Sequence, residues 1–256
     1  MKKVLCLLFI YSLLITQVLA KDFRFIQVTD VRFDKNAENQ TLLSVIEKIN
    51  SEKNVEFVVF TGDSIVRADQ EQLKAFLKQI KKLKRPYYIV IGDKDVNKRK
   101  NMSKKDFSKI IKKKGGHYQP KEPNYVIEKK GLVFLVADGA KDVIPSTTGY
   151  YKDNVINWID ANLDLYKNKN IIILQHFPIV PPAAKETYYT FKADEYLSVI
   201  KKHKNVKAIV AGHFGVNKEE IIDGISHIST APIPNYRVID IIDYETDNPT
   251  IWSEVK

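Results

Sequence analysis

YYIVIGDKDV (residues 87–96) begins as an apolar run and closes on two aspartates flanking a lysine. A short apolar run bounded by glycine suits a buried strand, and one aspartate would suit the turn that ends it. Two earlier stretches end in the same way. DFRFIQVTD (22–30) stops at Asp30, and VEFVVFTGD (55–63) stops at Gly62-Asp63. Between the three lie TLLSVIEKIN (41–50) and DQEQLKAFLKQIKKLK (69–84), whose apolar residues recur at helical spacing; Pro86 halts the second. Strands alternating with helices pair in parallel through right-handed crossovers. Sheets of that kind gather their ligands at the carboxyl ends of the strands. Asp30, Asp63 and Asp93 are therefore expected along one edge.

The second half adds two histidines to that edge. NYVIEKKGLVFLVAD (124–138) reads as a hairpin around Lys130-Gly131, and DNVINWIDANLDLY (153–166) as an amphipathic helix. NIIILQHFP (170–178) is a buried strand ending at His176. DEYLSVIKKH (194–203) is a helix, and VKAIVAGHFG (206–215) is a strand ending at His213. EEIIDGISHIS (219–229) and YRVIDIIDY (236–244) have the look of antiparallel strands. Parallel units mixed with hairpins predict an α/β fold of two stacked mixed β-sheets flanked by helices, a four-layer α/β/β/α sandwich. Five strand ends thus carry Asp30, Asp63, Asp93, His176 and His213. Carboxylates and imidazoles together suit zinc, manganese or iron.

The remaining histidines read as structural: His117 on an exposed loop after a double glycine, His203 as a helix C-terminal cap, His227 as a strand residue near the surface. Residues 97–123 and 140–152 read as loops that would shape specificity. No Walker-type loop, G-x-S-x-G elbow or G-x-G-x-x-G fingerprint appears.

Length and composition set the context. The first twenty of the 256 residues, MKKVLCLLFIYSLLITQVLA, combine a basic start, an apolar run and a small-residue cleavage site. That is the pattern of a signal peptide, and it predicts an exported protein, periplasmic or secreted, with residues 21–256 as a single domain. Cys6 is the only cysteine, so the mature chain would have neither disulfide nor thiolate chemistry. No later run is apolar enough to span a membrane. The formal charge of +10 falls to +8 when the leader's two lysines are removed. KKLKR (81–85) and KKDFSKIIKKK (104–114) carry much of it; they read as solvated helix faces, and as a surface open to an anionic partner.

In ordered succession, TDVRFD, TGDSIV, GDKD, LQHFP and AGHFG resemble the calcineurin-like metallophosphoesterases, whose pattern runs D-x-H, G-D, G-N-H-D, a lone histidine after a strand, and G-H-x-H. The resemblance spans nearly all of the mature chain. It implies hydrolysis of a phosphomonoester or phosphodiester, such as a phosphorylated small molecule, by metal-activated water. One divalent metal (manganese, iron or zinc) would be held by Asp63, Asp93, His176 and His213. A second would need Asp30 and Asp63 with two histidines, and here those two positions are Arg32 and Gly215. Arginine cannot ligate, so the second site is incomplete. Lys94 stands where the family has a histidine near the leaving group, and Asp95 where an aspartate orients that histidine. Arg32 and Lys94 would then serve as fixed positive charges that grip phosphate oxygens. The alternative is a catalytically impaired protein of the same fold that acts as an anion-binding or scaffold module.

Overall fold

A computed structural model describes residues 21–114 and 122–256. Residues 1–20, with Cys6, and His117 lie outside the described residues. The elements run β1 (Phe23–Val28), α1 (Gln40–Ser51), β2 (Val55–Thr61), α2 (Gln70–Ile80), β3 (Tyr87–Val90), α3 (Lys104–Lys114), β4 (Tyr125–Lys129), β5 (Leu132–Ala137) and β6 (Gly149–Tyr150). They continue with α4 (Asp153–Leu165), β7 (Ile171–Gln175), β8 (Thr190–Phe191), α5 (Ala193–Ile200), β9 (Val206–Ala211), β10 (Lys218–Ile222), β11 (Ile225–Ser229), β12 (Arg237–Ile242) and β13 (Thr250–Val255). Short 3₁₀ turns fall at Lys98–Lys100 and Glu186–Tyr188.

Two mixed sheets result. One has the order β13-β12-β1-β2-β3 and the other β10-β11-β9-β7-β5-β4; β6 and β8 form a small third pair. In the first sheet β1, β2 and β3 are parallel neighbours, and in the second β5, β7 and β9 are. Strand alternation divides each sheet between two cores. Phe23, Phe25, Phe57, Phe134, Leu174 and Val210 fill the space between the sheets. Phe25 stacks on Phe57 with ring centroids 5.2 Å apart, and Phe134 meets Phe57 edge-on at 5.0 Å. The alternate residues, Ile26, Val28, Val58 and Phe60 on one sheet and Val133, Leu135, Ile171 and Ile173 on the other, belong to the cluster that includes the helices. The four-layer sandwich follows from this division.

Local departures from the sequence reading have physical causes. β3 leaves the ladder at Val90, so Ile91 and Gly92 already belong to the turn that carries Asp93. α2 ends at Ile80, short of Pro86, because Lys81 to Leu83 close a tighter terminal turn. Residues 97–123 are not all loop: α3 packs Phe107, Ile110 and Ile111 into the outer core. Its run of lysines hid that apolar face. β11 pairs antiparallel with β10 but parallel with β9. β13, which closes the first sheet, alternates too weakly in TIWSEV (250–255) to be read from sequence. His203 does not cap its own helix; its Nε2 meets Asp160 of α4 at 2.6 Å.

Candidate metal centre

The parallel strands deliver their acids and imidazoles to one place because the turns that follow them are tied together. Asp30 N donates to the Gly62 carbonyl, Arg32 N to Asp63 O and Phe33 N to Ser64 O, so the segments after β1 and β2 run side by side. Gly212 N donates to His176 O and joins the ends of β7 and β9. Asp30, Arg32, Asp63 and His213 all have positive φ, between 48° and 71°. That is uncommon for residues with side chains, and such strain gathers where surrounding structure imposes it at functional sites. Gly62 (φ 92°) has to be glycine for a second reason: a Cβ there would collide with the His176 ring.

All five ligand-type side chains are buried, none more than 9% exposed. His176 Nδ1 lies 2.7 Å from the Thr61 carbonyl and His213 Nε2 lies 2.8 Å from the Thr147 carbonyl. A carbonyl only accepts, so each of these nitrogens carries the proton, and the lone pair sits on the other nitrogen of each ring. Those lone pairs, on His176 Nε2 and His213 Nδ1, face each other at 3.1 Å. Asp93 Oδ1 lies 3.3 Å from both, and Asp63 Oδ1 lies 3.5 Å from His176 Nε2. Four acceptor atoms therefore converge at one buried point, an arrangement that calls for a cation.

The negative charge around His176 is strong enough to keep a proton on its Nε2 when no metal is bound, so a metal and a proton compete for that atom. Burial opposes a charge on His176, but Asp63, Asp93 and Asp30 outweigh it and lift its pKa to about 10. Burial also works against the Asp93 carboxylate, yet His176, His213 and Lys94 together hold it well below the usual range. His213, chiefly through burial and then through the charge on His176, is pushed down. The donor set of two carboxylates and two imidazoles, with both rings oriented by main-chain carbonyls, fits a divalent transition metal.

The opposite oxygens of the same carboxylates face the chain's own cations. Lys94 Nζ lies 3.0 Å from Asp63 Oδ2 and 3.1 Å from Asp93 Oδ2. Arg32 Nη2 lies 3.2 Å from Asp30 Oδ1, and its Nε lies 3.8 Å from Asp63 Oδ2. Asp30 Oδ2 accepts from Thr29 Oγ1 at 2.8 Å and from His213 N at 2.9 Å. Asp63 thus has its Oδ1 toward the histidines and its Oδ2 toward Lys94 and Arg32.

Asp95 stands apart from this chemistry. It is fully buried and accepts main-chain N–H bonds from Gly92 (2.8 Å) and Ile65 (3.2 Å). Burial, reinforced by Asp63, pushes its pKa up to about 7. Among the described residues it forms no ion pair, and it braces the two turns that present Asp63 and Asp93. Asp34 is likewise occupied, with Gln72 Nε2 and Asn36 N. Sequence reasoning missed the Thr61 and Thr147 carbonyls, which no residue type announces. It also missed Tyr188, whose ring lies 4.6 Å from that of His213; the aromatic run TYYTF (187–191) was the available signal.

Fold and site together define a class, the metallophosphoesterases, which hydrolyse phosphoester bonds. A family model described as calcineurin-like phosphoesterase matches residues 23–217, and the chain belongs to that family. A manganese-dependent ADP-ribose/CDP-alcohol diphosphatase of Danio rerio is 29% identical over 80 residues, a match that covers 30% of this chain and 25% of that enzyme. A dimetal phosphatase crystal structure from the same species superposes with a TM-score of 0.63 at 15% identity, over 90% of this chain and 98% of the other. GAP50, the anchor in the inner membrane complex of Plasmodium, superposes with a TM-score of 0.61 at 14% identity, over 91% and 84% of the two chains. At such identities these two structures show a shared fold and nothing about chemistry.

Proposed function

We propose that this protein is an exported phosphoester hydrolase that works with one divalent metal ion, held by Asp63, Asp93, His176 and His213. The observation that carries the reading is the meeting of the two imidazole lone pairs at 3.1 Å, with both rings fixed from behind by carbonyl groups. A metal held there by these four residues would lower the pKa of a bound water and so make a nucleophile available.

The other tasks fall to side chains. Arg32 and Lys94 are 41% and 29% exposed, while the acids behind them are sealed. Their heads therefore line the open side of the site, where phosphate oxygens arrive, and supply the positive charge that a second metal would otherwise bring. Burial pulls the Lys94 pKa down, but Asp63 and Asp93 more than reverse this and leave it raised. Lys94 thus stays charged. It stabilises a departing oxygen by charge and does not hand over a proton. This favours substrates whose leaving groups are already acidic, such as the phosphoanhydrides of small molecules. The diphosphatase among the relatives supports that preference and the choice of manganese.

The test pairs metal content with hydrolysis of a phosphomonoester, a phosphodiester and a diphosphate, with and without manganese. Turnover is expected with manganese and none in His176→Ala. Equal turnover in that variant would overturn the proposal. Export rests on residues 1–20; protein recovered outside the cytoplasm is expected to begin at Lys21, and an uncut intracellular chain would refute export.

A further inference from the structure

We propose that the protein docks on anionic lipid surfaces through an apolar loop tip and the basic turn fastened to it. The tip is Val143 and Ile144, 58% and 69% exposed. The other large exposed hydrophobic side chains among the described residues, such as Leu165 and Ile221, fall singly along the chain. Single exposed apolar residues are ordinary, whereas an adjacent pair at a tip needs a reason. Beside it lies the 3₁₀ turn Lys98-Arg99-Lys100, in which all three residues are exposed.

The two features form one unit. Lys98 N donates to the Asp142 carbonyl at 2.6 Å, and Lys104 N donates to Asp142 Oδ2 at 3.1 Å. Asp142 Oδ2 is held by that amide, and among the described residues the Asp142 carboxylate forms no ion pair with Lys98, Arg99 or Lys100. Lys105 and Lys109, exposed on α3, extend the basic surface.

Two aliphatic side chains are far too little for a lasting protein interface, which buries on the order of 1,600 Å². They suit shallow insertion among acyl chains, with cations meeting acidic head groups, because neither signal alone holds a protein on a bilayer. Three residues beyond Ile144, the Thr147 carbonyl holds His213. The tip therefore lies on the metal-centre side of the molecule, and docking would bring surface-borne phosphates toward that centre. The tip and the basic turn are surface features, independent of the proposed hydrolysis.

The test is co-sedimentation of the mature chain with phosphatidylcholine vesicles, with or without phosphatidylserine. Sedimentation is expected only with the acidic vesicles. Val143→Ser with Ile144→Ser, or Lys98→Glu with Arg99→Glu and Lys100→Glu, is expected to weaken binding ~10-fold or more. A control, Lys167→Glu with Lys169→Glu and Lys204→Glu, changes lysines at the amino ends of β7 and β9, away from the metal centre, and should leave binding intact. Circular dichroism checks that each variant is folded. Absence of sedimentation would overturn the proposal. So would binding that ignores the serine pair, or binding lost equally in the control, since either outcome would mean diffuse attraction to lysines.

Discussion

Lys94 is the side chain that sets this site apart, because one ammonium group bridges Asp63 Oδ2 and Asp93 Oδ2. A lysine whose pKa is raised is a poor general acid near neutral pH, so hydrolysis of aryl phosphates is expected to slow steeply as the leaving group becomes more basic. Lys94→His is expected to flatten that dependence, with gains of about 10²-fold or more on poor leaving groups. A rate series across phenols of different acidity checks this, and an unchanged slope would show that Lys94 is not at the leaving group. Gly62→Ala makes a second test: its Cβ would push the His176 ring off the Thr61 carbonyl, so manganese uptake measured by calorimetry should fall well over 10-fold. At this scale the sequence was readable where a residue type is rare at a strand end, as with Asp30, Asp63, Asp93, His176 and His213. It was silent on main-chain partners, since any residue could supply the carbonyls of Thr61 and Thr147. It also could not show that Gly215 sits at φ 71°. His213 carries a side chain at the same φ, and a Cβ at 215 would meet no clash, so the useful reversion restores histidine at all three positions: Arg32→His with Lys94→His and Gly215→His.

The elements were legible where one face is clearly apolar. β1, β2, β7 and β9 are buried on both faces and stand out as apolar runs, and α1, α2 and α4 show their helical spacing plainly. α3 did not, because its many lysines masked Phe107, Ile110 and Ile111. Phe107 is 2% exposed, so Phe107→Ala is expected to destabilise the chain by about 3–5 kcal/mol in urea unfolding. A cost below about 1 kcal/mol would mean that α3 is only a surface helix. The β6–β8 pair was also unreadable, being two residues on each strand. Yet it matters: Tyr150 N bonds to Gly139 O, and Thr147 Oγ1 reaches Thr187 O at 2.9 Å. These contacts fix the loop whose Thr147 carbonyl orients His213. Loops defined by main-chain contacts across 40 residues leave little trace in local sequence.

Across the whole molecule, two parallel strand sets from different sheets meet at one edge, and the charge there is arranged in two halves. Carboxylate oxygens and imidazole lone pairs form one half, and Lys94 with Arg32 fills the other. A ligand bound only by the folded chain stabilises it by mass action, so saturating manganese is expected to raise the melting temperature of the native protein and leave His176→Ala unmoved. In the proposed mechanism the chain's own cations take the place of the second metal. The test is a count of manganese per chain in purified protein under saturating metal, with electron paramagnetic resonance to separate isolated ions from coupled pairs. One isolated ion per chain is the expected result, rising to two in Arg32→His with Lys94→His and Gly215→His. Two coupled ions in the unaltered protein, or none, would contradict the claim.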